Sequence, residues 1–231
     1  MSEIPENIEP LSVEQLSFVF AGCSWGCVYY IGVYQAIRRQ YTSHQISGMR
    51  FGGSSSGCLA ALATCLDKSV QECLDMYNEL AHVGSTFGVF GNMSIYHEIV
   101  LRRWLPSGGD EYLRLRNRLY MNITRFFSES EILCDWTSND DVIDALHATM
   151  HIPFYMSYLK SVRGRWGIDG GFSKNMFRID ENTLTVSVMT TAGDIYPRNL
   201  LTPADCFSPP GEKRRQSIYE DGVSTVLPCV G

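Results

Sequence analysis

The sequence predicts an α/β protein, in which the strands of one sheet alternate along the chain with helices that cover both faces. Strand-like and helix-like segments alternate from the first element onward. Of the 231 residues, 45% are hydrophobic and 12% aromatic, enough for one substantial core, so disorder, collagen and coiled coil are excluded. The sequence shows no internal repeat, no long low-complexity tract and no domain linker, so we expect one domain over 1–231, with a core at about 16–200 and a C-terminal segment at 201–231.

Periodicity and capping signals justify the elements one by one. Short apolar or alternating runs predict strands, and longer apolar runs that begin at capping residues predict helices. The elements expected, in order, are a strand at 16–20, a loop at 21–27, a helix to about 41, a strand at 49–51, an apolar helix after 57, a helix at 69–82, a helix at 95–104, strands at 119–124 and 131–136, a helix at 138–153, and strands at 166–169 and 183–188.

The charge of the chain argues against a nucleic-acid partner. It has 19 Lys and Arg residues against 25 Asp and Glu residues, which gives a formal net charge of −6 and a pI of about 5.4. Such mild acidity provides no attraction to a phosphate backbone. Charged residues make up only 19% of the chain, where about a quarter is usual, and the tracts 16–37 and 51–66 have none.

The uncharged tract at 16–37 has the length of a membrane span, but it contains Gly22, Gly26 and Gly32 and divides into a strand, a loop and a helix. We therefore expect a buried strand-loop-helix unit. No basic segment precedes it, so a signal peptide is not expected. Several of the eight cysteines lie in apolar runs, which favours buried thiols in a reducing, cytoplasmic compartment.

Residues Gly53 to Gly57 read Gly-Ser-Ser-Ser-Gly and fit the G-x-S-x-G pattern of a nucleophile elbow. In such a turn the central serine adopts a strained positive φ, and the glycines let strand and helix pass closely. The apolar strand before it and the apolar helix after it supply the context that an elbow requires. We therefore expect Ser55 to be a nucleophile, the alternative being an ordinary glycine- and serine-rich loop.

A serine hydroxyl needs a base to become a nucleophile. Asp169 ends a short β-like run and is followed by two glycines, and the carboxyl ends of strands are where open α/β sheets collect active-site groups. A Ser-His-Asp triad is the competing arrangement, with His151 as the base and Asp140 or Asp141 as the orienting acid. In a third alternative, Asp169 only forms a turn.

The segment at 21–27 is the candidate oxyanion hole, because it follows a strand and opens a helix, so that its N–H groups can converge beside the elbow. Its glycine spacing fits neither common phosphate-binding motif, which disfavours a nucleotide. His147 and His151 lie four residues apart but lack the neighbouring carboxylate of a His-Glu-x-x-His site. No metal and no other cofactor is therefore expected.

Taken together, these segments resemble the patatin-like phospholipase family over nearly the whole chain. The resemblance rests on AGCSWGCVYYIGV after the first strand, on GSSSG, on ATMHIPFY and on IDGGFSKN, in that order. In detail the sequence is most similar to the adipose triglyceride lipase branch of this family, and its late segment CFSPPGEKRRQSIYEDG is part of that similarity. The resemblance implies a three-layer α/β/α sandwich with a mostly parallel central sheet.

The resemblance also implies a Ser-Asp dyad in place of a triad. Ser55 would be the nucleophile and Asp169, the acid of an Asp-Gly-Gly motif, would be its base. The implied oxyanion donors are the backbone N–H groups of Gly22, Cys23, Ser24 and Ser56, and the implied motif glycines are Gly53, Gly57, Gly170 and Gly171. The implied reaction is hydrolysis of acylglycerol or phospholipid esters through an acyl-enzyme, without a cofactor.

One departure from the family pattern bears on activity. The family usually has glycines at the positions of Ser24 and Cys27, and here a glycine appears one place early, at Gly26. Loss of one oxyanion donor lowers a rate by about 10²–10³. A catalytically weak or inactive lipid-binding or regulatory protein is therefore the alternative to an active hydrolase.

The resemblance places the protein at a lipid droplet or membrane surface. The aromatic segments at 87–90, 126–127 and 153–156 are candidates for contact with an apolar substrate, and an ordinary core role is the alternative. Two basic groups are candidates for anionic headgroups, with a solvated face as the alternative. They are Arg114, Arg116 and Arg118, and the run at 213–215.

Overall fold

The computed structural model describes residues 16–125, 129–156, 159 and 161–227. A five-stranded sheet lies at its centre, and a separate hairpin of two short strands lies beside it. The strands are β1 (Ser17–Phe20), β2 (Arg50–Ser54), β3 (Leu119–Thr124), β4 (Ser130–Leu133), β5 (Ser161–Val162), β6 (Arg165–Trp166) and β7 (Thr183–Val186).

The sheet has the strand order β4-β3-β2-β1-β7, and only β4 runs antiparallel to its neighbour. Helices flank it. They are α1 (Val28–Gln40), α2 (Ser43–Gly48), α3 (Gly57–Cys65), α4 (Val70–Phe87), α5 (Met93–Leu101), α6 (Tyr112–Leu115), α7 (Asn139–Thr149), α8 (Gly171–Lys174), α9 (Pro203–Phe207) and α10 (Glu212–Val223). The mixed α/β fold with its mostly parallel sheet confirms the predicted fold class.

The two uncharged tracts form the centre of this fold. Every residue of β1 and of α3 is buried, as the continuous apolar runs predict for a parallel sheet that is covered on both faces. The tract at 16–37 consists of β1, a 3-10 turn at Ser24–Cys27 and most of α1. Among the described residues, no helix combines the length and the apolar character needed to cross a bilayer.

The parallel strands determine where the predicted site residues lie, because the carboxyl ends of these strands meet at one edge of the sheet. The loop after β1, the turn after β2 and the end of β3 all lie at this edge. Helix α3 begins there and packs against β1, β2 and β3. The residues predicted to form the elbow and the oxyanion hole are thus neighbours in space.

The C-terminal helix α10, which the sequence did not predict, packs on α1 at two glycines. A Cβ at Gly32 would lie 2.2 Å from the carbonyl oxygen of Tyr219, and a Cβ at Gly222 would lie 2.2 Å from that of Tyr29. Both distances are far shorter than any real contact, so neither position has room for a side chain. Helix α10 therefore belongs to the packed structure.

Several predicted elements differ from the structure; the helix predicted at 138–153 ends at Thr149, and the strand predicted at 131–136 ends at Leu133. The predicted strand at 166–169 is only the two-residue β6, followed by an isolated bridge between Ile168 and Thr124, so Asp169 follows a bridge and not a strand of the central sheet. The helix predicted to end near residue 82 continues to Phe87 and ends at Gly88, which has φ of +83°. Its predicted capping box at Ser69 is present.

Candidate active site

Ser55 lies in the tight turn between β2 and α3, with the geometry that the motif predicts. Its φ of +53° is in the left-handed region, which a serine adopts only when the surrounding structure enforces it. A Cβ at Gly57 would come within 2.1 Å of the carbonyl oxygen of Phe20, so only glycine allows α3 to start this close to β1. Gly53, the other glycine of the motif, lies in β2.

Tertiary structure brings Ser55 and Asp169 together across 114 positions of sequence. The Ser55 hydroxyl donates a hydrogen bond of 2.5 Å to Oδ2 of Asp169, and the backbone N–H of Gly171 donates one of 2.8 Å to Oδ1. The main chain of Asp169 is fixed as well, because its carbonyl accepts a 2.7 Å hydrogen bond from the hydroxyl of Thr124. Both side chains are buried.

Burial also sets the acidity of Asp169. Removal from water raises its pKa from 3.8 to about 6, while the hydrogen bonds from Ser55 and Gly171 act in the opposite direction. At neutral pH the carboxylate is therefore ionised but basic enough to accept a proton. A perturbed carboxyl in a cleft is typical of functional sites.

Two residues that the sequence did not single out hold the elbow in place. The hydroxyl oxygen of Thr149 accepts the N–H of Ser55 at 3.0 Å, and the hydroxyl donates to the carbonyl of Asn122 at 2.6 Å. Gly170 approaches the same carbonyl, because a Cβ there would lie 2.2 Å from the Asn122 oxygen. A threonine at the end of a helix gives no sequence signal for this role.

The alternative triad of Ser55, His151 and Asp140 or Asp141 is not assembled. His151 contacts Asp169 through its main chain, where its carbonyl accepts the Asp169 N–H at 3.0 Å. Asp140 and Asp141 lie in the first turn of α7, and His151 lies beyond its last, which separates them by roughly 15 Å at 1.5 Å per residue. The carboxylates of Asp140 and Asp141 instead pair with Arg102 and Arg163. They therefore cannot orient the imidazole.

The predicted oxyanion loop lies beside Ser55, but two of its N–H groups already have acceptors. Gly22 donates to Oδ1 of Asn175 at 2.6 Å, and Cys23 donates to Oγ of Ser56 at 3.2 Å. The Asn175 amide also donates back to the Gly22 carbonyl at 3.2 Å. Asn175, six residues after Asp169, thus joins the loop to the Asp-Gly-Gly segment, a role that no sequence signal indicated.

Ser24 adopts φ of +49°, a conformation that glycine takes without strain. The loop therefore keeps the backbone shape of a glycine at this position although the sequence has a serine. The thiols around it are neutral, since burial raises the pKa of Cys23 well above 9, that of Cys27 to about 12 and that of Cys206 to about 11.

Ser55 opens onto an apolar pocket that extends beneath α4 and α5. The pocket is narrow, with about 70 Å³ open to the centre of a water molecule, and Ser55, Ser56, Tyr155 and Met156 are among the residues that line it. Most of its other lining residues are apolar, among them Leu59, Ala63, Met76, Leu80, Met93 and Trp104. Burial lowers the pKa of His97, which also lines it, to about 3, so this imidazole is neutral at physiological pH.

A second cleft lies on the other side of Ser55. Asp169, Gly171, Asn175 and the exposed rings of Phe172 and Phe207 line it. Of the aromatic segments predicted to meet a substrate, 153–156 reaches the pocket and the pair at 126–127 lies outside the described residues. No group of three or more potential metal ligands is present in the part of the chain that the structure describes.

Arg118, one of the predicted headgroup arginines, lies away from this edge of the sheet. Arg118 precedes β3 and donates to the carbonyls of Ile46 and Cys65, near the amino end of β2. Its guanidinium is thus tied to main-chain carbonyls at the edge opposite Ser55. In the run at 213–215, Arg214 is paired with Asp205.

The patatin-like phospholipase family model matches residues 18–180 of this chain, which is more than half of its length. The protein belongs to the patatin-like phospholipase family. Two curated relatives are each 29% identical to it. The first is the mouse patatin-like phospholipase domain-containing protein 5, where the match covers 78% of this chain and 43% of the relative. The second is the human patatin-like phospholipase domain-containing protein 2, where it covers 79% of this chain and 38% of the relative.

This patatin-like chain thus spans about two fifths of the length of those curated relatives. Among solved structures it is similar to VipD from Legionella pneumophila, with a TM-score of 0.61 and 11% sequence identity. The likeness covers 91% of this chain and 65% of the VipD chain. At such low identity it shows a shared fold.

Proposed function

We propose that the protein is a serine lipid acyl hydrolase in which Ser55 is the nucleophile and Asp169 is its general base. The observation that carries the proposal is the 2.5 Å hydrogen bond from the Ser55 hydroxyl to a buried Asp169 carboxylate. The elbow supports it, because the positive φ of Ser55 between a strand and a helix is the conformation that exposes a nucleophilic serine in such a turn. Family membership supports it independently.

In the proposed reaction, the Ser55 oxygen attacks an ester carbonyl carbon as its proton passes to Asp169. The tetrahedral intermediate collapses, the bond to the alcohol oxygen breaks, and Asp169 returns the proton to the leaving alcohol. Water then attacks the acyl carbon while Asp169 takes its proton, the bond from that carbon to the Ser55 oxygen breaks, the free acid leaves, and Asp169 returns the proton to Ser55. A pKa of about 6 suits both directions, since the carboxylate must accept and return a proton near neutral pH.

The apolar pocket supports an acyl chain as the part of the substrate that enters the protein. A chain bound among Leu59, Met76 and Trp104 would place its carbonyl carbon beside the Ser55 hydroxyl. The cleft on the Asp169 side would hold the alcohol part of the ester. We propose acylglycerols or phospholipids, met at the surface of a membrane or lipid droplet, as the substrates.

The proposed oxyanion donors are the N–H groups of Gly22, Cys23, Ser24 and Ser56. Two of them are bonded within the protein, those of Gly22 and Cys23. A substrate oxyanion would have to replace Asn175 or Ser56 as their acceptor. This observation favours a second candidate, a patatin-like protein of weak or absent activity that binds lipid, since each missing donor lowers the rate by about 10²–10³.

Labelling with a fluorophosphonate, together with hydrolysis of a short-chain p-nitrophenyl ester, tests the proposal. We expect the wild-type chain to be labelled and active, and Ser55→Ala to lose both. Ser217→Ala removes an exposed hydroxyl on α10 and serves as the matched control, with both properties retained. A folded wild-type chain that neither reacts nor hydrolyses would favour the second candidate.

A further variant separates the dyad from a triad. Replacement of His151 by alanine or glutamine should leave the labelling rate within about tenfold of wild type, because its imidazole has no orienting carboxylate from Asp140 or Asp141. A loss as large as that of Asp169→Asn would contradict the assignment of Asp169 as the sole base.

A further inference from the structure

Large apolar side chains surround the mouth of the site on its outer side. Phe154 is 90% exposed and Phe90 is 74% exposed, and neither lines the pocket. The exposed side chains of Phe172, Met189 and Phe207 lie around the neighbouring cleft. We call Phe90 and Phe154, with these three, the aromatic rim.

Phe154 is held in a conformation that its own chemistry disfavours. Its φ of +68° is rare for a bulky residue, and glycine or asparagine would adopt it with less strain. The position thus combines backbone strain with a phenyl ring that is almost fully exposed to water. Both features oppose stability in solution, which indicates that the ring is used in another environment.

Main-chain hydrogen bonds link the segments that carry Phe90 and Phe154 to each other and to the pocket. The N–H of Gly91 donates to the carbonyls of both Phe154 and Tyr155, at 3.0 and 3.1 Å. The Phe90 ring contacts the Tyr155 ring edge to face, with centroids 5.8 Å apart. Tyr155 lines the pocket, and its hydroxyl accepts a 2.6 Å hydrogen bond from the indole N–H of Trp25, which lies in the candidate oxyanion segment.

The segments that carry the rim contain no charged side chain. No Asp, Glu, Lys or Arg occurs at 80–97, 145–159, 170–173, 182–193 or 206–211. Arg118 lies at the opposite edge of the sheet, with its guanidinium bonded to main-chain carbonyls. A surface that meets these segments therefore encounters aromatic and aliphatic groups and backbone, and beside Phe207 it meets Arg214, whose charge is paired with that of Asp205.

We propose that the aromatic rim docks on an electrically neutral lipid surface, with Phe90 and Phe154 inserted into its apolar layer. The inference deepens the proposed function and rests on it, since it names the partner that delivers substrate to the same pocket. Transfer of one phenyl ring from water into an apolar layer is worth on the order of tenfold or more in a partition coefficient. The geometry would then place the pocket mouth against the lipid.

Co-sedimentation with phosphatidylcholine vesicles, over a range of salt concentrations, tests the proposal in the Ser55→Ala protein, which cannot consume the lipid. We expect binding that changes less than twofold between 50 and 500 mM salt, because no ion pairs are involved. Binding that requires an anionic lipid and is lost in salt would overturn the proposal. Since this protein lacks the nucleophile, its binding is measured independently of catalysis.

Variants of the rim complete the test. Phe154→Asn, alone and combined with Phe90→Asn, should bind vesicles at least tenfold more weakly. The single variant Phe154→Asn should melt at the same temperature as its parent or higher, because asparagine tolerates the positive φ. Leu113→Asn, exposed on α6 near the amino end of β3, is the matched control and should bind like the parent. Unchanged binding of the double variant would refute the docking role.

Activity assays keep a failure of docking distinct from a failure of the proposed function. With Ser55 restored, the rim variants should hydrolyse a soluble short-chain ester at the wild-type rate but lose activity on vesicles or emulsions. If the wild-type chain shows no fluorophosphonate labelling and yet binds neutral vesicles through Phe90 and Phe154, the docking inference stands without the enzymatic one.

Discussion

Replacement of Asp169 by asparagine should abolish ester hydrolysis and at the same time make the folded protein more stable. The substitution keeps the shape of the side chain. Its Oδ1 can still accept the N–H of Gly171, and its amide can donate to the Ser55 oxygen where the carboxylate accepted. The variant loses the proton acceptor and also the buried negative charge.

The size of the stabilisation follows from the acidity of the buried carboxyl. Its pKa rises from 3.8 to about 6 on folding, mainly because burial disfavours the ionised form. At about 1.4 kcal/mol for each pH unit, this difference corresponds to about 3 kcal/mol that the ionised group costs the folded state at neutral pH. Asp169 is almost fully buried, so solvent screening reduces this value little.

The pH dependence has a definite sign. The folded chain binds the Asp169 proton more tightly than the unfolded chain does, so this group opposes folding increasingly as the pH rises from 3.8 to about 6, and constantly above. Asparagine has no such dependence. The advantage of the variant over wild type should therefore be about 1.5 kcal/mol at pH 5 and about 3 kcal/mol at pH 8.

Urea unfolding at the two pH values, followed by tryptophan fluorescence, measures the difference. Asp110→Asn, which neutralises an exposed carboxylate, is the matched control and should show no comparable gain. A variant less stable than wild type at pH 8, or a difference that does not grow with pH, would refute the reasoning that burial sets the acidity of Asp169.

Three further predictions concern the reaction and the packing. The kcat/KM of the wild type should rise about tenfold per pH unit below about pH 6 and level off above, because Asp169 acts as a base only when ionised. Ser56→Ala should raise kcat roughly two- to tenfold in ester assays, because the Cys23 N–H then has no competing acceptor. Gly32→Ala should lower the free energy of unfolding by about 1–3 kcal/mol in urea, because its methyl group would overlap the Tyr219 carbonyl.

For each of these three predictions, one specific result would contradict the reasoning. A flat pH profile from pH 5 to pH 8 would contradict a base with the acidity of Asp169. A loss of activity in Ser56→Ala would mean that the hydroxyl assists the reaction instead of competing for the Cys23 N–H. Gly211→Ala is the control for Gly32→Ala, because a Cβ at Gly211 meets nothing within 4 Å, and an equal loss in both would contradict the packing argument.

The nucleophile and the framework around it could be predicted from local sequence. Gly53 to Gly57 lie between a buried strand and an apolar helix, and both elements are coded by contiguous residues whose periodicity is visible in the chain. The positive φ of Ser55 follows from the same motif, because the turn geometry is local. The capping box at Ser69 is likewise a four-residue signal.

Residues that act through distant contacts could not be predicted in this way. Thr149 holds the Ser55 N–H across 94 positions, and Asn175 holds Gly22 across 153, and neither has a local pattern that marks it. The C-terminal helix was missed because its sequence is mostly polar, and it is held by close packing against Gly32. Such contacts exist only in the folded protein, because they depend on the order of the strands in the sheet.

The sequence by itself therefore determined the α/β alternation, the elbow and the chemical candidates, since each depends on neighbouring residues and on elementary residue chemistry. Tertiary structure decided which candidates meet. It placed Asp169 against Ser55 and kept Asp140 and Asp141 at the far end of α7 from His151. It also decided the acidity of Asp169, because removal from water depends on every element packed around the carboxyl and on no single stretch of the chain.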